Sequence, residues 1–351
     1  MRPRLLTEDA AWPVGIEHRL AKDALSLIDT LLLAGIYSCS VFDPSRISVI
    51  IPTYNRADLL REAISSVMQQ TVPVHEIVIV DDGSTDATPA LLADLLAQGL
   101  PLRTVRLEHT AHTGKVRNAG CAVATGAILA FLDSDDLWKP NRIEKQLASW
   151  SAKPSAGMAF CNLRRFNDRG LFPGPPYLNP GRDYGRDTLG PLLEEPVVVP
   201  SAMMLSRSAF DRVGPFSQRI IVEDYELALE AAYHFPVDYV PDALLLLRDH
   251  GGGRASARIE LAEVEYIRMI GDFVRCHPTL SNTHKAGANR GLANVHLKLV
   301  RLYLGQRRAP EAWKHLGQMA RLRPLDGRLP GAVAATVLHT RARLSGPGSK
   351  R

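Results

Sequence analysis

Three carboxylates stand close together at Asp133, Asp135 and Asp136, directly after the apolar run Ile128–Leu132. An apolar run that ends in a polar turn is typical of a strand buried on both faces of a parallel sheet. Its carboxylates then emerge at the carboxyl end of the strand, where ligands bind in open α/β sheets. Because crowded like charges repel, the triplet favours Mg²⁺ or Mn²⁺ together with a polyphosphate. An acidic surface turn is the alternative interpretation.

Strands and helices alternate in the segment before the acidic triplet. The runs Ile47–Ile51 and Glu76–Val80 are typical of strands, and they lead into the polar loops Pro52–Arg56 and Asp81–Asp86. The other elements predicted in this half are the helices Asp58–Gln70, Thr85–Gln98 (with Ser84 as N-cap) and Lys115–Ala124, and the strand Leu102–Leu107. This alternation predicts a doubly wound, mostly parallel α/β sheet that brings the loops and the triplet to one crevice.

The second half of the chain is less regular. Its predicted elements are the strands Met158–Phe166 and Pro200–Leu205, the helices Ser206–Val213 and Val222–Phe235, and a strand pair or edge segment at Val237–Leu247. The segment Asn167–Pro200 is rich in Pro and Gly, which is typical of a lid, a substrate loop or a disordered region. From Ala257 onward the pattern is helical, and it predicts an antiparallel helix pair at Leu292–Leu304 and Ala309–Arg323.

Composition and charge are those of a globular protein with a basic tail. Of the 351 residues, 46% are hydrophobic and 23% charged. Residues 251–351 carry 18 Lys and Arg against 6 Asp and Glu, whereas the preceding residues carry 24 against 31. Such a tail is either a solvated face or a surface for anionic lipid or an acidic partner.

Neither a membrane span nor a disulfide framework is expected. The apolar stretch Ala24–Val41 contains Asp29 and lacks a cleavage site, so it predicts an amphipathic helix. The four widely spaced cysteines predict buried thiols in a reducing compartment. We therefore expect a cytoplasmic protein, with a peripheral position at the inner face of the membrane as a second option.

Three runs of sequence together resemble the nucleotide-sugar glycosyltransferases of family 2, which have the GT-A fold. These runs are ISVIIPTYNRADLLREAISSVMQQT, EIVIVDDGSTDAT and GKVRNAGCAVATGAILAFLDSDDLWKPNRI. The match covers residues 46–145, and VEDYELALEAA with the Arg248/His250 segment extends it more weakly to residue 257. The resemblance implies a GT-A domain at 46–257, with a nucleotide-sugar half (46–145) and an acceptor half (146–257). The flanking regions are an extension (1–45), a helical region (258–345) and a disordered tail (346–351).

The resemblance also implies a set of residues around the donor. They are Pro52, Thr53, Tyr54, Asn55, Arg56, Asp81, Asp82, Gly114, Arg117, Asn118, Asp133 and Ser134. Asp81 is expected to accept a hydrogen bond from the imide N–H of uracil or thymine, which would discriminate between bases. Helix capping is the alternative role for Asp82 and Asp86. For Arg117 the alternative is an ordinary cation on a helix surface.

Metal and catalytic residues follow from the same resemblance. Asp135 and Asp133 are implied at a divalent metal, Mn²⁺ or Mg²⁺, with Asp136 as a further candidate and His250 as a third ligand or a plain loop histidine. Glu223 and Asp224 match the acidic pair on the acceptor side, and Asp224 is the candidate general base. Two acids at a helix start are otherwise partners of the helix dipole.

The expected function is an inverting, metal-assisted transfer of a sugar from a nucleoside diphosphate, UDP in particular, to an acceptor hydroxyl. We expect it in polysaccharide or glycan biosynthesis, with a glycan, lipid-linked or small-molecule acceptor and no nucleic-acid partner. The sequence has no QxxRW signature of processive membrane synthases. The alternatives are a nucleotidyltransferase of related fold and a non-catalytic nucleotide-sugar-binding or scaffold protein.

Overall fold

A nine-stranded sheet organises the part of the chain that the computed structural model describes, residues 46–179, 184–250 and 256–344. Its strands are β1 (Ile47–Thr53), β2 (Glu76–Asp81), β3 (Leu102–Arg106), β4 (Ile128–Phe131), β5 (Leu137–Trp138), β6 (Met158–Asn167), β7 (Gly170–Leu171), β8 (Met203–Ser206) and β9 (Val237–Arg248). Their order in the sheet is β3-β2-β1-β4-β8-β6-β9-β5, and β7 pairs with β6. Only β5, β7 and β8 run against the others, which confirms a mostly parallel α/β sheet.

Helices cover the sheet and continue beyond it. In the described residues they are α1 (Ala57–Met68), α2 (Thr88–Ala97), α3 (Thr113–Val123), α4 (Arg142–Ser151), α5 (Leu189–Glu194), α6 (Arg207–Val213), α7 (Glu223–His234), α8 (Ser256–Cys276), α9 (Asn282–Gly305), α10 (Ala309–Leu322) and α11 (Leu329–Leu344), with a 3-10 turn at Pro200–Ala202. The predicted helical C-terminal region is confirmed, including the pair α9 and α10. The predictions for residues 1–45 and 346–351 lie outside the described residues.

The central strands are buried along their whole length. Every residue of β1, β2 and β4 is buried, because apolar side chains point to both faces and helices cover both. One core cluster joins Phe131 and Phe160 of the sheet to Tyr266 of α8 and Val300 of α9. The C-terminal helices therefore share a hydrophobic core with the sheet.

Three local predictions were wrong. Helix α2 begins at Thr88, and the Ser84 hydroxyl accepts a hydrogen bond from the Asn55 N–H instead of capping the helix. The segment Val237–Leu247, predicted as a strand pair or edge segment, belongs to one strand, β9, which lies between β6 and β5. Cys121 and Cys161 are buried as predicted, but Cys276 at the end of α8 is exposed.

A helix that spans a bilayer needs about 20 predominantly apolar residues in succession. Within residues 46–179, 184–250 and 256–344, no helix is long and apolar enough to cross a membrane. The stretch Ala24–Val41 is outside these ranges.

Candidate active site

The loops after β1 and β2 are fastened to each other. The Asn55 N–H donates to Ser84 Oγ at 2.9 Å, and Asn55 Oδ1 accepts from the Thr85 N–H at 2.8 Å. Asn55 has a φ of 51°, a left-handed conformation that asparagine tolerates better than most residues. Pro52 and Thr53 are the last residues of β1 and are buried. The first two predicted donor loops therefore form one rim of the crevice.

Asp81 and Asp82 are adjacent in sequence but have different surroundings. Asp81 is buried, and its Oδ1 accepts from the Ser84 N–H at 2.8 Å while Oδ2 lies 3.9 Å from Arg106 Nη1. Both oxygens of Asp82 accept hydrogen bonds from the backbone of residues 110 and 111, at 2.9 and 3.0 Å. Asp82 therefore supports the loop before α3 and does not cap α2.

Tyr54 stacks on a histidine that the sequence did not single out. The rings of Tyr54 and His109 have centroids 3.9 Å apart and an interplanar angle of 17°. His109 can come this close because Gly83, at φ 80°, has no side chain. A Cβ there would lie 2.9 Å from the backbone nitrogen of His109. His109 Nδ1 lies 2.9 Å from the carbonyl oxygen of Asp82 and 3.0 Å from its carboxylate, which holds the imidazole in place. Two aromatic rings therefore line the rim at the position expected for a base.

The acidic turn after β4 is anchored from two directions by Asp136. Its Oδ2 accepts from Ser201 Oγ at 2.6 Å, and its Oδ1 accepts from the Arg248 N–H at 2.9 Å. Burial, followed by the neighbouring charge of Asp133, raises the pKa of Asp136 to about 8. Ser134 is also buried. Asp136 therefore fixes the turn to the 3-10 segment and to β9 and leaves Asp133 and Asp135 at the crevice.

Asp135 and His250 meet at the crevice, although they are far apart in sequence. Asp135 Oδ2 lies 2.8 Å from His250 Nε2 and 2.6 Å from Arg56 Nη1. A carboxylate and an imidazole suit Mn²⁺, and the diphosphate oxygens of a donor would complete such a site. Asp133 is not part of this pair, since its Oδ1 faces Arg117. The side chains of Asp135 and His250 therefore fit as ligands of a divalent metal.

Arg117 connects the acidic turn to the start of helix α7. The residue is 3% exposed, so it is not a cation on a helix surface. Its Nη2 donates to Asp133 Oδ1 at 2.7 Å and its Nη1 to Glu223 Oε1 at 3.0 Å. Burial lowers the pKa of the guanidinium, but the charges of Asp133, Asp224 and Glu223 outweigh burial and raise it. Arg117 is thus a permanent cation shared by both sides of the crevice.

Glu223 and Asp224 open helix α7 and face this cation. Burial, followed by the charge of Asp224, raises the pKa of Glu223 to about 7. Burial also raises the pKa of Asp224, against the opposing effect of Arg117. The residue before them, Val222, has a φ of 70°, which is strained for a branched side chain. A carboxylate with a raised pKa in a partly dry crevice has the properties of a general base.

Two uncharged residues of α3, Gly114 and Asn118, determine where the acidic pair lies. A Cβ on Gly114 would lie 2.9 Å from Glu223 Cγ, so only glycine allows this approach. The Asn118 amide donates to the Phe216 carbonyl at 2.8 Å and accepts from the Phe216 N–H at 2.9 Å. Asn118 therefore holds the chain that leads into α7. The partners of Asn118 are backbone atoms of Phe216, so the sequence motif gave no sign of these contacts.

Comparisons with known proteins identify the family and the fold. The family model "Glycosyl transferase family 2" matches residues 48–214. The amylovoran biosynthesis glycosyltransferase AmsE of Erwinia amylovora is 30% identical over 207 residues, which cover 57% of this chain and 75% of AmsE. The chain belongs to glycosyltransferase family 2. The succinoglycan biosynthesis protein ExoO of Rhizobium meliloti is also 30% identical, over 63% of this chain and 61% of ExoO.

Other family members match over a shorter share of their length. In two further curated relatives the chain spans 31% and 40% of the protein. Among solved structures, Staphylococcus aureus TarS 1-349 in complex with UDP-GlcNAc is 20% identical with a TM-score of 0.61, over 84% of this chain and 89% of TarS. The mannosyltransferase PcManGT of Pyrobaculum calidifontis, in complex with GDP-Man and Mn²⁺, is 22% identical with a TM-score of 0.57, and the match covers 87% of this chain and 83% of PcManGT. Both likenesses show the GT-A fold.

Proposed function

We propose that the protein is an inverting glycosyltransferase that moves a sugar from a UDP-sugar to an acceptor hydroxyl in polysaccharide biosynthesis. The observation that carries the proposal is the buried Arg117, whose guanidinium joins Asp133 of the acidic turn to Glu223 of the acceptor side. This contact brings the donor-side and acceptor-side motifs of the family into one crevice. The UDP-GlcNAc complex of TarS and the polysaccharide named for AmsE support the choice of donor and pathway class.

The reaction is one in-line displacement. Asp224 takes the proton of the acceptor hydroxyl, the acceptor oxygen forms a bond to the anomeric carbon, and the bond from that carbon to the diphosphate oxygen breaks. The nucleoside diphosphate leaves with the bonding electron pair, and the configuration at the anomeric carbon inverts. Arg117 keeps Glu223 and Asp133 in place, and the raised pKa of Asp224 makes its carboxylate a stronger base than an ordinary aspartate.

A divalent metal held by Asp135 and His250 would neutralise negative charge on the departing diphosphate. PcManGT, whose structure contains Mn²⁺, supports this assignment. The residues of the chain itself do the rest: Asp81 and Tyr54 recognise the base, and Arg56 contacts Asp135 next to the phosphates. Asp82 supports the loop before α3, and Gly114 and Asn118 position the acidic pair.

We assign the transfer to residues 46–257, with the donor in 46–145 and the acceptor in 146–257. Residues 258–345 contribute to acceptor selection, and their excess of Lys and Arg supports an anionic acceptor or an anionic lipid surface as the contact. The acceptor class is a glycan, a lipid-linked glycan or a small hydroxylated molecule.

The test is nucleotide release from a panel of UDP-, dTDP- and GDP-sugars with Mn²⁺, with Mg²⁺ and with chelator. We expect metal-dependent release of the nucleoside diphosphate from a UDP-sugar, abolished in Asp135→Ala. Asp242→Ala is the matched control, since Asp242 is an exposed carboxylate paired with Lys145. Release of pyrophosphate from a nucleoside triphosphate would indicate a nucleotidyltransferase, and donor binding without release would indicate a non-catalytic binder.

A further inference from the structure

A second group of ligating side chains lies outside the crevice. Glu230 and His234 are one helical turn apart on α7, so they share a face, and His277 follows directly after the end of α8. One ligand atom from each of the three lies within 4.8 Å of the other two. Nothing in the proposed transfer reaction uses these residues.

The distances from Glu230 to the two histidines are close to those in a metal coordination shell. Glu230 Oε2 lies 3.3 Å from His277 Nε2 and 3.7 Å from His234 Nε2. In a tetrahedral zinc site with bonds of about 2.0–2.1 Å, neighbouring ligand atoms are about 3.4 Å apart. Two imidazoles and a carboxylate are also a ligand set that Zn²⁺ takes in proteins.

The backbone hydrogen bond of the His277 ring is also that of a metal ligand. Its Nδ1 lies 2.8 Å from the carbonyl oxygen of Phe273, and only a protonated nitrogen can donate to that carbonyl. In the neutral ring the lone pair is then on Nε2, which faces the Glu230 carboxylate. Two electron-rich atoms at this distance need a cation or a proton between them. A backbone carbonyl that fixes the tautomer is the usual outer partner of a metal-bound histidine.

The ring of His277 is held rigidly by its neighbours. Its centroid lies 4.1 Å from that of Tyr233 and 4.2 Å from that of Phe273. The Tyr233 hydroxyl is in turn 2.7 Å from Thr279 Oγ1. A ligand with a fixed orientation loses little side-chain entropy when it binds a metal, which favours affinity.

We propose that Glu230, His234 and His277 bind one Zn²⁺ ion, which clips the end of α7 to the end of α8. The side chain of His234 is 29% exposed, so a water molecule can occupy the fourth position. At the other end of α7, Tyr225 stacks on Tyr266 of α8 with centroids 5.5 Å apart. The helix that begins with the acidic pair would then be fastened to the C-terminal helices at both ends.

Cobalt titration of the chelator-stripped protein tests the proposal, because tetrahedral Co²⁺ absorbs strongly in the visible range. The protein background is Asp135→Ala with His250→Ala, which removes the metal-binding pair of the crevice. We expect one equivalent of Co²⁺ to give a tetrahedral spectrum that Zn²⁺ abolishes. His234→Ala and Glu230→Gln should each weaken Co²⁺ binding at least about tenfold. Removing only a hydrogen-bonding partner of a metal ligand already costs about 10–100-fold in affinity, and these variants remove a ligand itself.

Two controls distinguish a metal site from adventitious cobalt binding and from a simple ion pair. His284→Ala removes a neighbouring histidine that contacts Asp187 at 3.3 Å, and it should leave the Co²⁺ affinity unchanged. Zn²⁺ should raise the Tm of the background protein but not that of its His234→Ala variant. An absent tetrahedral spectrum, or one that survives both His234→Ala and Glu230→Gln, would overturn the proposal and leave the cluster as an ion pair between histidine and glutamate.

Discussion

Asp133 and Glu223, which lie in different halves of the fold, are bridged by one buried guanidinium. Arg117 donates to both, at 2.7 and 3.0 Å, from a site that is almost closed to solvent. A cation in this position lowers the cost of keeping three carboxylates near one another. We therefore expect both stability and catalysis to depend on it.

Replacing Arg117 by Met should lower the free energy of unfolding by about 3–5 kcal/mol, because the buried Glu223 carboxylate loses its partner. Arg117→Lys should lower the free energy of unfolding less than Arg117→Met does. It should still reduce kcat, since a lysine cannot contact Asp133 and Glu223 in the same forked geometry. Urea unfolding at pH 7 measures the first effect. A loss below about 1 kcal/mol, the usual value of an exposed ion pair, would contradict a buried role for Arg117.

Asp224→Asn should reduce kcat by a factor of about 10²–10⁴, because the variant has no base to take the acceptor proton. The Kd for the UDP-sugar should change little, since Asp224 is on the acceptor side. In the unmodified protein kcat/KM should rise with pH as Asp224 loses its proton. This rise should lie at a higher pH than the ordinary aspartate pKa of 3.8, because burial raises the pKa of Asp224. A variant that binds donor normally and keeps near-normal kcat would exclude Asp224 as the base.

The stability of the protein should fall as pH rises from about 4.5 to about 7. The pKa of Glu223 is raised from 4.5 to about 7, so the folded protein holds its proton more tightly than the unfolded chain. The stabilisation that this proton provides is therefore complete below pH 4.5 and is lost above a pH of about 7. At about 1.4 kcal/mol per pH unit, the shift of the Glu223 pKa from 4.5 to about 7 corresponds to a loss of about 3–4 kcal/mol.

Glu223→Gln isolates this contribution from those of other titrating groups. Glutamine keeps an oxygen for Arg117 but does not titrate, so the Tm of the variant should change less between pH 5 and pH 8. Both proteins are compared in chelator by scanning calorimetry. Identical slopes for the two proteins would show that the Glu223 proton does not contribute to stability.

Gly114→Ala should impair transfer more than it impairs folding. The added Cβ would lie 2.9 Å from Glu223 Cγ and 3.1 Å from the Ser217 carbonyl, so the start of α7 must shift. We expect a loss of kcat of at least tenfold with a stability loss of about 1–3 kcal/mol. Gly317→Ala is the matched control. A Cβ on this helical glycine would meet no atom within 4 Å beyond the neighbouring backbone of its own helix, so the change should be neutral or stabilising by about 1 kcal/mol.

Removing the metal should abolish release of the nucleoside diphosphate, and His250→Ala should raise the Mn²⁺ concentration needed for half-maximal rate about tenfold. The reason is the 2.8 Å contact between His250 Nε2 and Asp135 Oδ2, which makes the pair a ready set of ligands. His75→Ala is a suitable control, since His75 contacts Arg46 and Thr125. A full rate in chelator would rule out metal assistance.

The sheet and the placement of the acidic triplet were predictable from sequence. Apolar runs that end in carboxylates, separated by helical periodicity, leave few arrangements other than a parallel sheet with its polar loops at one edge. Asp133 and Asp135 lie where this argument puts them. The pattern is local, so it requires no knowledge of distant contacts.

The contacts that hold the loops together were not predictable. Ser201 belongs to an irregular segment, and its bond to Asp136 depends on how that segment returns to the sheet. Val222 has a left-handed backbone that its side chain disfavours, so local preference argues against the observed conformation. The burial of Arg117 likewise requires Glu223, a partner that only the tertiary fold supplies.

The Tyr54–His109 stack has a consequence for how a donor enters. Rings with centroids 3.9 Å apart have no room for a third between them, so a base that stacks on this face of Tyr54 must displace the imidazole. Such a pair contributes about 0.5–1.5 kcal/mol, which corresponds to roughly two- to tenfold in donor affinity. Donor entry is then an exchange of one ring for another, and it favours bases that stack better than histidine does.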